Sequence, residues 1–532
     1  MTKTASVAVV VVLCLSAMVV PGFCASAENP APAAGIDILA SEKSIPEIRA
    51  DLDAGRYTSH DLVIAYLKRI AAFDADGPKL NSILEINPEA LIWADTCDAE
   101  RRAGKARGLL HGIPVLIKDN IDTADLMHTS AGSLALKDHY ASKDAFVAQR
   151  LRQAGAIILG KTNMTEWANW MSTKMPGGYS SLGGQVLSAY DFSFPVRGSS
   201  TGSAVAMSAN FAAGSVGTET SGSIIHPAYW ASVVGLKPTV GLISRSGIIP
   251  LATSQDTAGP IARTVADVAW MLNAMAGVDP TDPATLAAGG KIPTDYRAFL
   301  KKDGLRGAHI GVSRQLFGQM SEEQAARFEG VLNEMRDAGA EIVDPVAMPI
   351  DELLGTNWQD SKTMLYEFKP AINHYLKGVE PYIPIHSLGE VIAFDNQDAA
   401  KRARYGQDTL EKAEKTSGSL TEPEYINERL RNLRLTRDAI DVALRKYAVD
   451  AIIFPPLNNT MISGVILEAR AGYPAITLPA GYLKDGKPFT FMLVAGAWQE
   501  PKLIALGYSY EQATHHRKAP VLGSKSQVTG NK

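Results

Sequence analysis

From Gly112 onward the chain alternates short runs of consecutive apolar residues with longer amphipathic stretches, and this alternation restricts the fold more than any other feature. The runs "IPVLIKDN" (113–120), "AIILG" (156–160), "AEIV" (340–343), "DAIIF" (450–454) and "FTFMLVAG" (489–496) read as strands, several of them apolar enough to be buried on both faces. Helical patterns lie between them: 145–154, stopped by Gly155; 264–276, with Thr264 and Asp267 as a capping pair; 321–339, opened by "SEEQ"; and 422–447. Ahead of Gly112 the texture is helical, over 45–54, 59–73 and from Pro88 with Asn87 as its cap. Strands buried on both faces need helices on both sides. The expected fold class is α/β, with a mixed, mostly parallel central sheet covered by helices on both faces.

One segment breaks the texture: "VRGSSTGSAVAMSANFAAGSVGTETSGSIIHPA", residues 196–228, holds two clusters of Gly, Ser and Thr with hardly a charge among them. A flexible linker would lack the apolar middle. Ala204, Val205, Ala206, Ala209, Phe211 and Ala212 have helical spacing, and a strand-like run follows over 213–218. The small residues therefore sit at the ends of packed elements, where they let backbone come close to something else.

At 532 residues, 46% hydrophobic and 20% charged, the chain has material for a large core. A net charge of -4 with scattered Lys and Arg leaves no basic footprint for nucleic acid. The first 29 residues, "MTKTASVAVVVVLCLSAMVVPGFCASAEN", join Lys3 to an apolar stretch and then to Ala25-Ser26-Ala27, the pattern of a cleaved export signal. Residues 1–27 are expected to be removed, leaving a Pro- and Ala-rich linker (28–36), one domain (37–518) and a flexible tail (519–532). No stable membrane anchor is expected, because Pro21-Gly22 interrupts an apolar stretch already shorter than a spanning helix needs. The expected destination is periplasmic or secreted. Of Cys14, Cys24 and Cys97 only the last survives cleavage, so no internal disulfide can form.

Common catalytic patterns are missing: there is no H-E-x-x-H and no Cys cluster to hold a metal, no P-loop, no dinucleotide fingerprint after a strand, and no S-x-x-K. Gly198-Ser199-Ser200-Thr201-Gly202 does satisfy G-x-S-x-G, which would make Ser200 the nucleophile of an α/β-hydrolase elbow. The elbow needs a strand running directly into the serine, and "DFSFPVRG" with Pro195 makes a poor one.

A better account joins distant segments. "GIPVLIKDNID" (112–122), "AGSLAL" (131–136), "GKTNMTEWA" (160–168), the stretch 196–228, "VVGLKPTVGLIS" (233–244), "DAIIFPP" and "GYPAITLPAG" together resemble the amidase signature family of serine hydrolases, over nearly the whole mature chain. The resemblance implies a catalytic triad of Ser223 as nucleophile, Ser199 as a bridging hydroxyl on a cis peptide after Gly198, and Lys118 as base. It also implies an oxyanion hole from the backbone N–H groups of Thr220, Ser221, Gly222 and Ser223, with Gly198 and Ser200 supporting the turn and no cofactor or metal.

The chemistry explains the residue types. An amide carbon is a poor electrophile, so the attacking hydroxyl must lose its proton as it adds, and no His is suitably placed to take it. A neutral lysine can, provided burial disfavours its charged form by about 4 kcal/mol, because a free ammonium has a pKa near 10.4. Val115-Leu116-Ile117 supply an apolar approach to Lys118, and Asp119 would oppose the effect if it faced inward. Ser199 would relay the proton between Ser223 and Lys118.

The chain departs from the family pattern at four positions: Ser221 and Ile225 stand where many members carry Gly and Arg, and Arg197 and Thr201 where Gly is common. Loss of the Arg favours a neutral amide over an anionic substrate. "GTETSGSI", "GLKPTVGLISRSGIIP" and "SQDTAGPIART" are most similar to bacterial amidases that remove the C-terminal amide from peptides. The expected activity is hydrolysis of a neutral carboxamide to acid and ammonia through an acyl-enzyme. The alternatives are a glutamine-amidase subunit of a tRNA-dependent amidotransferase and an inactive ligand-binding relative. Trp167, Trp170 and Tyr179 read as packing residues, and His226 as structural.

Overall fold

The computed structural model describes residues 42–317, 320–353, 361–455 and 464–523. The expected signal peptide, the linker and most of the tail lie outside the described residues, as does Pro456 of "DAIIFPP". Residues from Ile38 on form one compact unit. Among the described residues no helix is long and apolar enough to cross a membrane.

The strands are β1 (Ile83–Ile86), β2 (Pro114–Lys118), β3 (Ile157–Thr162), β4 (Tyr179–Ser180), β5 (Gly184–Gln185), β6 (Gly214–Glu219), β7 (Val234–Lys237), β8 (Thr257–Ala262), β9 (His309–Val312), β10 (Glu341–Val343), β11 (Ala451–Phe454), β12 (Ala475–Tyr482) and β13 (Pro488–Val494). Apart from the small β4-β5 hairpin they form an 11-stranded sheet in the order β1-β3-β2-β6-β8-β7-β12-β13-β11-β9-β10. Every residue of β2, β3, β6, β8 and β13 is buried, so both faces of the sheet centre are covered, as continuous apolar runs require.

The mixed sheet flanked by helices matches expectation, but its parallel share is smaller. Parallel pairing is confined to β3-β2-β6 and β11-β9-β10; the other six pairings are antiparallel. β12 and β13 are joined antiparallel by the short connection 483–487, and β7 and β8 pair antiparallel across the longer segment 238–256.

Local signals mostly hold. Thr264 and Asp267 form a reciprocal capping box at the start of the helix Val265–Met275, and Ser321 with Gln324 does the same for Glu322–Asp337. The helix expected from Pro88 begins at Ala90, with Glu89 at its N-cap; Asn87 Oδ1 accepts from Glu89 N–H (2.9 Å) in the turn just ahead, and its Nδ2 donates to the Ile158 carbonyl (2.8 Å). The helix expected to reach Phe73 ends at Ile70 and continues as a π turn over Ala71–Ala75. Leu522 packs against the main core, so the first residues of the expected tail are held. A group of helices between Lys362 and Glu414 went unread, and they close a second apolar cluster over Trp167, Trp170 and Met171.

The Gly- and Ser-rich stretch forms the helix Thr201–Ser208 and then β6, every residue of both buried. The helix carries no charge, and its small side chains let it press on neighbouring backbone. At Gly202 an added Cβ would fall 2.3 Å from the carbonyl oxygens of both Asn163 and Ser82. Gly202→Ala is therefore expected to destabilise the fold by about 3 kcal/mol, read as a lowered midpoint in chemical denaturation.

Candidate active site

Lys118 ends β2, a strand flanked in parallel by β3 and β6. The register Val115↔Gly214, Leu116↔Ser215, Ile117↔Val216 carries Lys118 to the level of the next residues of β6, and its side chain turns toward them. Its Nζ lies 2.8 Å from Thr218 Oγ1, 3.2 Å from the Thr218 carbonyl and 2.7 Å from Ser199 Oγ. The three acceptors match the three N–H groups of an ammonium; in the neutral amine two N–H groups serve Thr218 and the lone pair is left for the Ser199 hydroxyl.

Lys118 and Ser199 are wholly inaccessible to solvent, whereas Ser223 retains 7% exposure. Burial brings the Lys118 pKa from its ordinary value down to about 7, against the charges of Glu219 and Asp256, which act the other way. Asp119 faces away: its carboxylate accepts from Ser130 Oγ (2.5 Å) and Gly132 N–H (2.8 Å). The opposition expected from this neighbour is thus supplied by two other carboxylates.

The Gly198–Ser199 peptide is cis. The Ser199 carbonyl accepts from Thr165 N–H at 3.0 Å, and a Cβ on Gly198 would sit 2.0 Å from Thr165 Oγ1, so glycine is required for this approach. Ser200 N–H donates to the Ser223 carbonyl (3.2 Å), which brings the two serine clusters together. Ser200 itself is buried, its hydroxyl 3.0 Å from the Thr218 carbonyl and accepting from Thr218 N–H at 3.2 Å. Both backbone groups of Thr218 thus engage the Ser200 hydroxyl, which is buried and not presented as an elbow nucleophile would be.

One expected oxyanion donor is already engaged. Glu219 accepts from Gly222 N–H (2.9 Å), Ile224 N–H (2.6 Å) and Ile225 N–H (3.0 Å). Gly222 N–H is therefore taken, which leaves Thr220, Ser221 and Ser223 of the expected donors. The reason is geometric, since the buried Glu219 carboxylate folds back over the loop and caps the turn into the helix Ile225–Trp230. Gly222 takes φ +84°, a conformation natural to glycine, and this lets the loop turn at that point.

Thr218, Asn120 and Glu219 were not singled out from sequence. Asn120 Nδ2 donates to Thr218 Oγ1 at 3.1 Å and so backs the residue that holds Lys118. Glu219 carried a signal, being the lone carboxylate in the stretch 196–228. Thr218 carried none.

The departures fit without crowding. Thr201 Oγ1 donates to the Arg197 carbonyl (2.7 Å), the Arg197 guanidinium lies 5.8 Å from the Trp230 ring centre, and Ile225 is buried in a third apolar cluster. Trp167 and Trp170 pack in the second cluster, and Tyr179 meets Tyr405 edge-on at 4.8 Å.

Beside Thr218 and Thr220 is a small cavity whose walls Arg245, Ile248 and Asp256 are shared with a cleft of about 1140 Å3. Among the described residues, Cys97, Glu100 and His111 come close enough to suggest a metal site. Their groups are otherwise occupied: Glu100 pairs with Arg107 (2.6 and 2.7 Å), and His111 Nε2 with the Cys97 carbonyl (2.9 Å).

Residues 61–504 match the family model described as Amidase. The crystal structure of native peptide amidase from Stenotrophomonas maltophilia superposes with a TM-score of 0.86 at 43% identity, covering 91% of this chain and 99% of that one. An Arabidopsis thaliana protein named as a probable amidase is 38% identical over 486 residues, 90% of this chain and 91% of the relative. A glutamyl-tRNA(Gln) amidotransferase subunit of Halorhodospira halophila is 33% identical over 508 residues, 90% of this chain and 99% of the relative. With Lys118 at the end of a buried strand, its Ser- and Gly-rich loops and a mixed sheet shared with the Stenotrophomonas structure, the chain belongs to the amidase signature family and is a hydrolytic amidase.

Proposed function

We propose that the protein hydrolyses the C-terminal carboxamide of peptides to acid and ammonia, using Ser223 as nucleophile, Ser199 as relay and Lys118 as base. The observation that carries this reading is the 2.7 Å contact between the buried Lys118 amine and Ser199 Oγ. In the neutral amine the lone pair accepts the Ser199 proton as Ser199 takes that of Ser223, and the Ser223 oxygen adds to the amide carbon. The N–H groups of Thr220, Ser221 and Ser223 hold the oxyanion. The Lys118 proton then returns through Ser199 to the departing nitrogen, ammonia leaves, and an ester on Ser223 remains. Water opens that ester by the same relay and releases the acid.

The peptide preference draws on the likeness to the Stenotrophomonas peptide amidase at 43% identity, above the 33% shared with the Halorhodospira amidotransferase protein. The buried, uncharged Ile225, two residues after Ser223, suits a neutral amide. We also infer export, from the leader at residues 1–27. The mature protein recovered from the periplasm or medium should begin at Glu28 on N-terminal sequencing.

Lys118→Ala and Ser223→Ala should each lower ammonia release from peptide amides by about 10³-fold or more, with the far-UV spectrum unchanged. Wild-type rates on either variant would refute the triad. Because only the uncharged amine can accept a proton, kcat/KM should rise with pH through an apparent pKa of about 7 and fall tenfold per pH unit below it. Thr218→Val removes one of the hydrogen bonds that aim the amine and is expected to lower kcat about tenfold.

A further inference from the structure

The oxyanion loop is held from one side by Glu219, and a second carboxylate meets it from the other. β6 and β8 run antiparallel and their ladder ends at Glu219↔Thr257, so Thr220 and Asp256 face each other just past the last pair. There the Thr220 hydroxyl donates to Asp256 Oδ1 at 2.5 Å. Asp256 Oδ2 in turn accepts Leu251 N–H (2.9 Å) and Ala252 N–H (3.0 Å), which fixes the carboxylate on the backbone of its own loop. The preceding residue grips the same target: Gln255 Nε2 donates to the Thr220 carbonyl at 3.1 Å. Side chain and carbonyl of Thr220 are thus both taken by one neighbouring loop.

Those contacts bear on the peptide unit that joins Thr220 to Ser221. Its carbonyl is held by Gln255, and its N–H, that of Ser221, is one of the three donors left for the oxyanion once Glu219 has claimed Gly222. Rotation of this unit would swing the N–H away from the reacting oxygen, and a misdirected donor forfeits most of its value. Asp256 is half-buried and lines both the small cavity beside Thr218 and the large cleft, so the clamp stands where the two spaces meet.

We propose that Asp256, acting through the Thr220 hydroxyl and aided by Gln255, is a positioning residue that sets the oxyanion donors for transition-state binding. This rests on the amidase reading given above. The role predicts loss of transition-state stabilisation without loss of ground-state affinity. It also predicts that Thr220 and Asp256 behave as a single unit.

The test uses the full mature chain and two readouts: steady-state hydrolysis of a peptide amide, and the rate at which a fluorophosphonate labels Ser223, which needs no knowledge of the natural substrate. Thr220→Val and Asp256→Ala should each lower kcat and the labelling rate about tenfold or more with KM changed less than about threefold. The double variant should be no slower than the worse single one, and Thr220→Ser should recover most of what Thr220→Val loses. Labelling of Thr220→Val at the wild-type rate, or a double variant whose loss is the product of the two singles, would overturn the proposal. If Asp256→Ala does not fold, Gln255→Ala and Thr220→Val carry the same comparison. Failure of the wild-type protein itself to label at Ser223 would instead refute the triad, so the two failures are distinguishable.

Discussion

The site depends on keeping one amine dry. The proposed role of Lys118 as base near neutral pH rests on water not reaching it, so that desolvation outweighs the two carboxylates that favour its charged form. That balance could not be struck on a loop. It is struck at the end of β2, where β3 and β6 flank the strand and every residue of all three is buried. The parallel register does the aiming, since it brings Thr218 beside Nζ and lets that residue take two of the amine's contacts.

The reacting groups are layered by depth. Lys118 and Ser199 are sealed, while Ser223 keeps a small exposed area where a substrate can meet it. The proposed relay would therefore run inward, from the wet end of the site to the dry end. The Gly- and Ser-rich stretch makes this possible, because the serine turn, the helix after it and the nucleophile loop pack at distances that larger side chains would block. Gly198 against Thr165 and Gly202 against Asn163 and Ser82 are the tightest places. Burying so much backbone demands that its polar groups find partners, and here Glu219 is essential: three N–H groups at the entrance to the helix Ile225–Trp230 end on its carboxylate.

The positions that depart from the family pattern show how tolerant the surroundings are. Thr201 and Arg197 occupy places where glycine is common, and each is absorbed by a local contact, a hydroxyl on a carbonyl and a guanidinium by an indole. Ile225 replaces a cation with apolar surface and joins the third cluster, which removes a handle for anions from the nucleophile loop. The helices between Lys362 and Glu414 cover a different flank, over Trp167 and Trp170.

Apolar runs and capping pairs made the strands β2, β3, β11 and β13 and the main helices legible along the chain, because those signals act between residues a few positions apart. Lys118, Ser199 and Ser223 were picked out as candidates only through motifs scattered over more than 100 residues that together resemble one family, and the structure sets Lys118 Nζ against Ser199 Oγ. Pairing direction was not, because antiparallel and parallel partners bury the same apolar residues, and the parallel share was overestimated for that reason. Nor could the chain alone show that Glu219 takes Gly222 N–H, that Thr218 aims the lysine, or that Asp256 meets Thr220. Local chemistry determined which groups were available; the sheet's register and the folding-back of loops decided which of them touch, since a hydrogen bond depends on positions in space that residues far apart in sequence reach only when the whole core has closed.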